Sequence, residues 1–350
     1  MHRWSSDADD RIGGIVEGAV ESLLAAGDRR DDTRLWAAVR DTSRGGKRLR
    51  PRILLDAYDA LAGPTPRESR DVAARLAAAL ELLHHAFLVH DDVIDGADVR
   101  RGRPNVAGAY TARAVEAGAS DHQATGYGAA AGILAGDLAL AGAVRAVALC
   151  GANPETTARL LDAVDEALHL TADGELADVW LSIGPCADLD EALLMAERKT
   201  AVYSFELPLR IAVILAGRDD LEAGVQRVGR ALGLAFQLRD DLDGVFGDPE
   251  QTGKSNSSDL REGKCTPLVA LARGTWAWDE LSTVLGDQRA GEPQLARARE
   301  LLAMCGARAA VERLVADLER DAAALGSDLG LGALVERLAG PAPHSSSSAA

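Results

Sequence analysis

The 350-residue chain reads as an all-α protein, and three observations predict that class. Aromatic residues make up only 4% of it, while Ala, Leu and Arg recur throughout, a composition that favours helices over the β-branched and aromatic runs that strands prefer. Apolar residues repeat at helical spacing, as in Leu76, Leu80, Leu83 and Phe87, and again in Ala231, Leu234, Ala235, Leu238 and Leu242. No alternation of useful strand length interrupts them.

Taken in order, the periodicity predicts helices over 11–26, 45–62, 68–96, 122–150, 155–173, 188–216 and 220–246, with shorter pieces after 264. Gly63-Pro64, Gly151 to Pro154, Gly184-Pro185 and Gly291 to Pro293 punctuate these segments as turns. None is long enough for an interdomain linker, so one domain over 1–340 is expected. A tail over 341–350, with consecutive serines and almost nothing to bury, is expected to be disordered. Pro208 is expected to kink its helix. The Gly/Ala-rich stretch 127–150 contains Asp137 and Arg145, and it is read as a buried helix, not a membrane span, with Asp137 as a buried charge.

Charge and cysteine usage narrow the function. With 38 Lys+Arg against 54 Asp+Glu the net charge is −16, which argues against non-specific nucleic-acid binding. Cys150, Cys186, Cys265 and Cys305 form no C-x-x-C pair, so neither a disulfide scaffold nor a zinc site is suggested, and a reducing cytoplasm fits. The N-terminus, with Asp7, Asp9 and Asp10 soon after Met1, has no apolar signal segment.

Two aspartate clusters carry the functional signal. In His90-Asp91-Asp92-Val93-Ile94-Asp95, Asp91 and Asp95 stand a helical turn apart on one face. In Gln237-Leu238-Arg239-Asp240-Asp241-Leu242-Asp243, the spacing from Asp240 to Asp243 again keeps two carboxylates on neighbouring positions. Like charges so placed repel, and oxygen-only ligands of this sort suit magnesium completed by water and substrate phosphate. A single cluster could be a solvated charged face. Two clusters, each at the end of a long apolar helix and each flanked by cations, favour a pair that would hold a polyphosphate.

The cations form two islands. Gly45-Gly46-Lys47-Arg48-Leu49-Arg50-Pro51 sets Lys47 and Arg50 three apart, and Arg100-Arg101-Gly102-Arg103-Pro104 follows closely on Asp95. Arginines in such islands suit a diphosphate through bidentate contacts. His84 lies two turns before Asp91 on about the same face and is read as a diphosphate contact, whereas His85 and His90 are read as locally hydrogen-bonded. Tyr203 and Phe205 are read as core or cavity residues.

These blocks, with Lys199-Thr200, the run from Phe236, and Gly253-Lys254 through Asp259 to Lys264, resemble the trans-isoprenyl diphosphate synthases over roughly 40–270. The resemblance implies a single helical bundle around an apolar cavity and a homodimer. It implies a magnesium-assisted condensation of isopentenyl diphosphate with an allylic diphosphate. Carried over by position, it makes Asp91, Asp92, Asp95, Asp240 and Asp241 metal ligands. Lys47, Arg50, His84 and Arg101 become the isopentenyl diphosphate pocket, and Arg100, Lys199, Lys254 and Lys264 become cations around the allylic diphosphate. Thr200 and Gln237 place oxygens near the developing allylic cation. One departure stands out: the fifth position of the second motif is Gly244, with Asp243 one residue earlier, which leaves the third ligand open.

Product length is read from the helix before the first cluster. Phe87 lies a turn before Asp91 and should obstruct a growing chain, while the neighbouring Ala86 leaves space. The resemblance, in which one aromatic at this depth goes with geranylgeranyl diphosphate and two with farnesyl diphosphate, implies mainly geranylgeranyl diphosphate, with farnesyl diphosphate or a longer chain as the alternatives. A class I terpene cyclase has no use for a second diphosphate pocket, and a non-catalytic partner subunit has no need of both metal clusters.

Overall fold

The structure, a computed structural model, describes residues 34–43, 47–64, 66–183, 188–247 and 258–339, with a few single positions before 34. Most of the helix expected over 11–26, the tail 341–350 and Lys254 lie outside the described residues. Helices dominate, as predicted, and the described residues fall into two compact units, one drawn from Trp4–Val164 and Ile211–Arg218, the other from Asp165–Arg210 and Asp219–Ala350.

The first unit contains α1 (Arg34–Ser43), α2 (Leu49–Ala62), α3 (Arg67–Ile94), a two-stranded antiparallel pair β1 (Val99–Arg100) and β2 (Arg103–Pro104), α4 (Val106–Glu116) and α5 (Asp121–Ala148). Helix α3 buries the stripe Leu76, Leu80, Leu83 and Ala86 and packs against α2, α4 and α5. Helix α5 starts at a capping box in which Ser120 and Gln123 satisfy each other's end of the first turn. Its buried face is made of small residues, Ala131, Gly132, Ala135, Gly136 and Ala139. A Cβ on Gly132 would overlap Val93, and one on Gly136 would overlap the His90 ring, so these glycines set how closely α5 approaches the aspartate-bearing end of α3.

The larger residues of α5 point the other way, and this corrects the expectation of a buried helix. Ile133, Leu134 and Leu138 are exposed. Asp137 lies on that outer face too, its carboxylate 3.3 Å from His90 Nε2, so it is not a buried charge. By length and composition α3 and α5 could each cross a membrane, with 67% of the apolar window buried in α3 and 39% in α5.

The β1–β2 hairpin was not foreseen, because two residues per strand leave no alternation to read. Its two-residue turn, Arg101-Gly102, has φ of 53° and 71°, the pattern of a type I′ turn. Glycine takes this conformation readily, whereas Arg101 is held there at about 1–2 kcal/mol.

The second unit begins within α6 (Pro154–Ile183) and continues through α7 (Leu189–Ala196), a π-helical stretch (Glu197–Glu206), α8 (Leu207–Ala216) as far as Arg210, and α9 (Glu222–Phe246). It closes with α10 (Ser258–Glu262), α11 (Pro267–Arg273), α12 (Trp278–Leu281), α13 (Glu292–Met304), α14 (Ala307–Asp328) and α15 (Gly332–Leu338). Helix α9 packs against α14 and the π-helical stretch, over a core that includes Leu238, Val245, Leu260, Leu268, Leu301 and Val311.

In place of a simple kink at Pro208, the widened π turns end two residues before the proline. Pro208 cannot donate to the carbonyl a turn earlier, and a change of helical register there accommodates the missing N–H. The buried Glu206 ends the stretch and accepts from Arg230 Nε at 2.7 Å. Cys150 and Cys305 are free, but Cys265 is disulfide-bonded, which cysteine spacing had not suggested.

Candidate active site

The first cluster sits where α3 ends. Asp92 is buried, Asp91 half-buried and Asp95 exposed, and the Asp95 N–H donates to the Asp91 carbonyl at 2.8 Å as the helix closes. The hairpin brings Arg100 across both leading carboxylates: Nε donates to Asp92 Oδ1 at 2.8 Å and Nη2 to Asp91 Oδ2 at 2.7 Å. Burial pushes the Asp92 carboxyl above its ordinary range, and the Arg100 guanidinium offsets this only in part. Burial alone would lower Arg100, but Asp92 and Asp91 more than reverse that and hold its charge firmly.

A cationic site lies on the same unit. His84 is driven well below its usual 6.5, first by burial and then by Arg50, His85, Arg101 and Arg100. It is therefore a neutral imidazole at neutral pH with three arginines in electrostatic reach, an arrangement fitted to an anion. Lys47 is exposed on the segment leading into α2.

Arg48, between Lys47 and Arg50, turns inward instead. Its Nη1 donates to Glu81 Oε1 at 2.8 Å with both side chains almost wholly buried, and its Nε donates to Glu17 at 2.8 Å. Its backbone is left-handed, with φ of 48°. The basic run thus divides into an anchor and two cations. His85 Nδ1 meets the Glu81 carbonyl at 3.0 Å, and His90 Nε2 lies 3.3 Å from the Ile133 carbonyl, the local roles read from sequence. Ala86 is completely buried and Phe87 half-buried.

The second unit holds the other cluster. Thr200 Oγ1 donates to Gln237 Oε1 at 2.8 Å, and Gln237 Nε2 donates to Asp241 Oδ1 at 2.8 Å, so three residues singled out in sequence form one chain. Lys199 Nζ donates to Glu175 at 3.1 Å and to Asp178 at 2.5 Å. Both acids were missed, because the helix read from sequence ended at 173 and α6 runs on to Ile183, which sets Glu175 and Asp178 three apart on it. Burial pushes the Asp241 carboxyl up to about 8; the Gln237 hydrogen bond opposes this, while Asp259, Asp240 and Asp178 add to it.

Asp243 does not share that environment. It lines a separate groove with Arg239, Phe246, Arg308, Glu312 and Glu319, in which Arg239 pairs with Glu319. Helical geometry explains the split, since Asp241 and Gly244 point together while Asp243 follows Arg239 and Phe246. Lys264 pairs with Glu262 at 3.1 Å.

Comparison with known proteins decides what these residues belong to. The family model described as polyprenyl synthetase matches residues 33–302. The chain belongs to the polyprenyl synthetase family, and it is a prenyltransferase. It is 32% identical over 264 residues to the geranylgeranyl diphosphate synthase of Saccharolobus solfataricus, covering 74% of this chain and 73% of that protein. It is 35% identical over 267 residues to the geranylfarnesyl diphosphate synthase of Aeropyrum pernix, covering 75% and 77%. Among solved structures, the geranylgeranyl pyrophosphate synthase of Corynebacterium glutamicum, complexed with isoprenyl diphosphate and magnesium, superposes with a TM-score of 0.85 at 30% identity over 95% of this chain and 98% of that one.

Among the described residues of this polyprenyl synthetase, no three or more His, Cys, Asp or Glu side chains converge as a preformed metal site. The donor chemistry nevertheless fits a hard divalent cation. Asp241 is a carboxyl raised by burial and further by three neighbouring acids, and Asp91 and Asp92 are bridged by a guanidinium. Both clusters are oxygen-only and call for positive charge.

Proposed function

We propose that this polyprenyl synthetase condenses isopentenyl diphosphate with an allylic diphosphate, using magnesium, and makes mainly geranylgeranyl diphosphate. The observation that carries the reading is the pairing at one helix end of a carboxylate cluster with a distinct arginine-rich site around neutral His84. One diphosphate is held through the carboxylates and their metal, and a second by cations alone. A cyclase, which takes one diphosphate, has no use for the second.

Bound magnesium supplies Lewis-acid neutralisation of the leaving diphosphate, and Asp91, Asp92, Asp95, Asp240 and Asp241 are the residues to hold it. Lys199, Arg100, Lys254 and Lys264 add fixed positive charge as the allylic C–O bond breaks. Lys199 reaches the diphosphate by exchanging its ion pairs with Glu175 and Asp178. The Thr200 and Gln237 oxygens face the allylic cation. Arg50, Arg101, Lys47 and His84 orient isopentenyl diphosphate so that its double bond forms the new C–C bond. Loss of a proton to the released diphosphate restores the alkene, so no protein base is required.

Product length rests on Phe87. Relatives of similar identity carry names from farnesyl to octaprenyl diphosphate synthase, so identity does not select among them. By resemblance to the family, a single aromatic one turn below Asp91, beside Ala86, goes with geranylgeranyl diphosphate, and farnesyl diphosphate or a longer chain is the alternative. The exposed Ile133, Leu134 and Leu138 on α5 support a homodimer that covers them. The test is incubation of the purified protein with labelled isopentenyl diphosphate, an allylic primer and magnesium, followed by chromatography of the dephosphorylated alcohols. A geranylgeraniol peak is expected, and a cyclic hydrocarbon formed from the allylic substrate alone would overturn the assignment.

A further inference from the structure

The seam between α9 and the π-helical stretch Glu197–Glu206, within the second unit, carries a contact that no step of the proposed reaction uses. Arg230 of α9 meets both ends of the stretch: its Nε donates to Glu206 Oε2 at 2.7 Å, and its Nη1 lies 3.6 Å from Glu197 Oε1. Those glutamates stand nine positions apart. In an α-helix that is about two and a half turns, which would put them on opposite faces. In the wider i→i+5 winding it is about two whole turns, and they share a face. One guanidinium bridges both carboxylates because the stretch is wound as a π-helix. We propose that Arg230 is a positioning residue, which holds this winding so that Thr200, in its first turn, faces Gln237 and the allylic substrate. This rests on the reading of Thr200 and Gln237 as groups beside the allylic cation.

The rest of the seam shows what the clamp aligns. The two elements run antiparallel, with Arg230 against Glu206, Gly233 against Ala201 and Phe205, and Gln237 against Thr200. Arg230, Gly233 and Gln237 thus lie along one face of α9. A Cβ on Gly229 would lie 2.5 Å from Glu206 Cα, and one on Gly233 2.5 Å from Ala201 Cα, so bare backbone sets the spacing and side chains fix the winding. The Glu206 side chain is 1% exposed, and a charge so buried binds its partner to one place. Arg210 also approaches Glu206, at 3.8 Å, but its hydrogen bonds go to Glu166 and Glu222. Rewinding the stretch as an α-helix would part Glu197 from Arg230 and turn Thr200 away from Gln237.

Hydrogen exchange of the amides in Glu197–Glu206 reads the winding without turnover, and steady-state kinetics reads its effect. Arg230→Lys keeps a cation for Glu206, but a single ammonium lacks the fork that reaches both ends. Glu197→Gln removes one end at a half-buried position and spares the buried charge. Each is expected to speed exchange in the stretch and to lower kcat by about tenfold to a hundredfold, with the melting temperature and the KM for isopentenyl diphosphate close to wild type. In a Thr200→Val background, Arg230→Lys should cost less than about twofold more, because both act through one group. Arg210→Lys disturbs the same acidic cluster without touching Glu197, and should leave both readouts at wild type. If Arg230→Lys or Glu197→Gln keeps wild-type exchange or wild-type kcat, or if Arg210→Lys matches their losses, the inference fails and the prenyltransferase reading stands. If the wild type elongates no allylic primer, that reading fails, and the role given to Thr200 and Arg230 falls with it.

Discussion

Breaking the Arg48–Glu81 pair tests how the first basic block is built. The two side chains are 4% and 5% exposed and meet at 2.8 Å. Among the described residues, Arg48→Met leaves Glu81 as a buried carboxylate, with one oxygen already lacking a partner and His85 Nδ1, at 4.0 Å, beside the other. An uncompensated buried charge of this kind costs about 3–5 kcal/mol. The exposed pair Arg320–Asp317, at 69% and 60% exposure, is worth about 0–1 kcal/mol, so Arg320→Met serves as the control.

In urea denaturation, Arg48→Met should lower stability by about 3–5 kcal/mol, and Arg48→Met/Glu81→Met should recover most of it, because a well-packed apolar pair replaces an ionic one at little net loss. Arg48→Met should also raise KM for isopentenyl diphosphate, since Lys47 and Arg50 flank the anchor. A single variant within about 1 kcal/mol of wild type would refute the buried anchor.

The remaining predictions follow from the other residues. The Asp241 carboxyl is raised from 3.8 to about 8, so the folded state binds more protons than the unfolded chain between those values and stability falls as pH rises through that window. Asp241→Asn should therefore raise the melting temperature of the metal-free protein at pH 8.5 by more than at pH 5, each read against the wild type at the same pH; an equal effect at both would exclude this origin. Arg101→Ala should raise KM for isopentenyl diphosphate by about tenfold or more, the scale of one lost charge-assisted contact, and leave the allylic primer nearly unchanged. Equal effects on both substrates would contradict separate anion sites. Phe87→Ala should lengthen the product, as read by chromatography of the alcohols; an unchanged distribution would place the floor of the tunnel elsewhere.

How much of this was legible in sequence depended on the range of the signal. The long helices α3, α5 and α9 were visible because apolar spacing is local. The thirty-residue α6 was cut short at 173, because Asp173, Glu175 and Asp178 interrupt its pattern where α6 meets Lys199. The hairpin carrying Arg100 was too short for periodicity, and its turn depends on an arginine in a conformation usually left to glycine. The five acids read as metal ligands were named because, within each motif, they lie within a few positions of one another. Asp259 was quoted only as part of a block, since only the fold brings its carboxylate to bear on Asp241. Arg48 was counted with its cationic neighbours because inward and outward side chains of one basic run look alike until Glu81 is placed beside it.

The central claim is that both aspartate clusters drive ionisation of the allylic diphosphate. Single-turnover elongation of an allylic primer by labelled isopentenyl diphosphate, with magnesium, tests it most directly in wild type, Asp91→Ala and Asp240→Ala. Loss of electrostatic stabilisation at the leaving group should slow each variant by about a hundredfold to a thousandfold or more, with circular dichroism unchanged. Near-normal elongation by either variant would contradict the account.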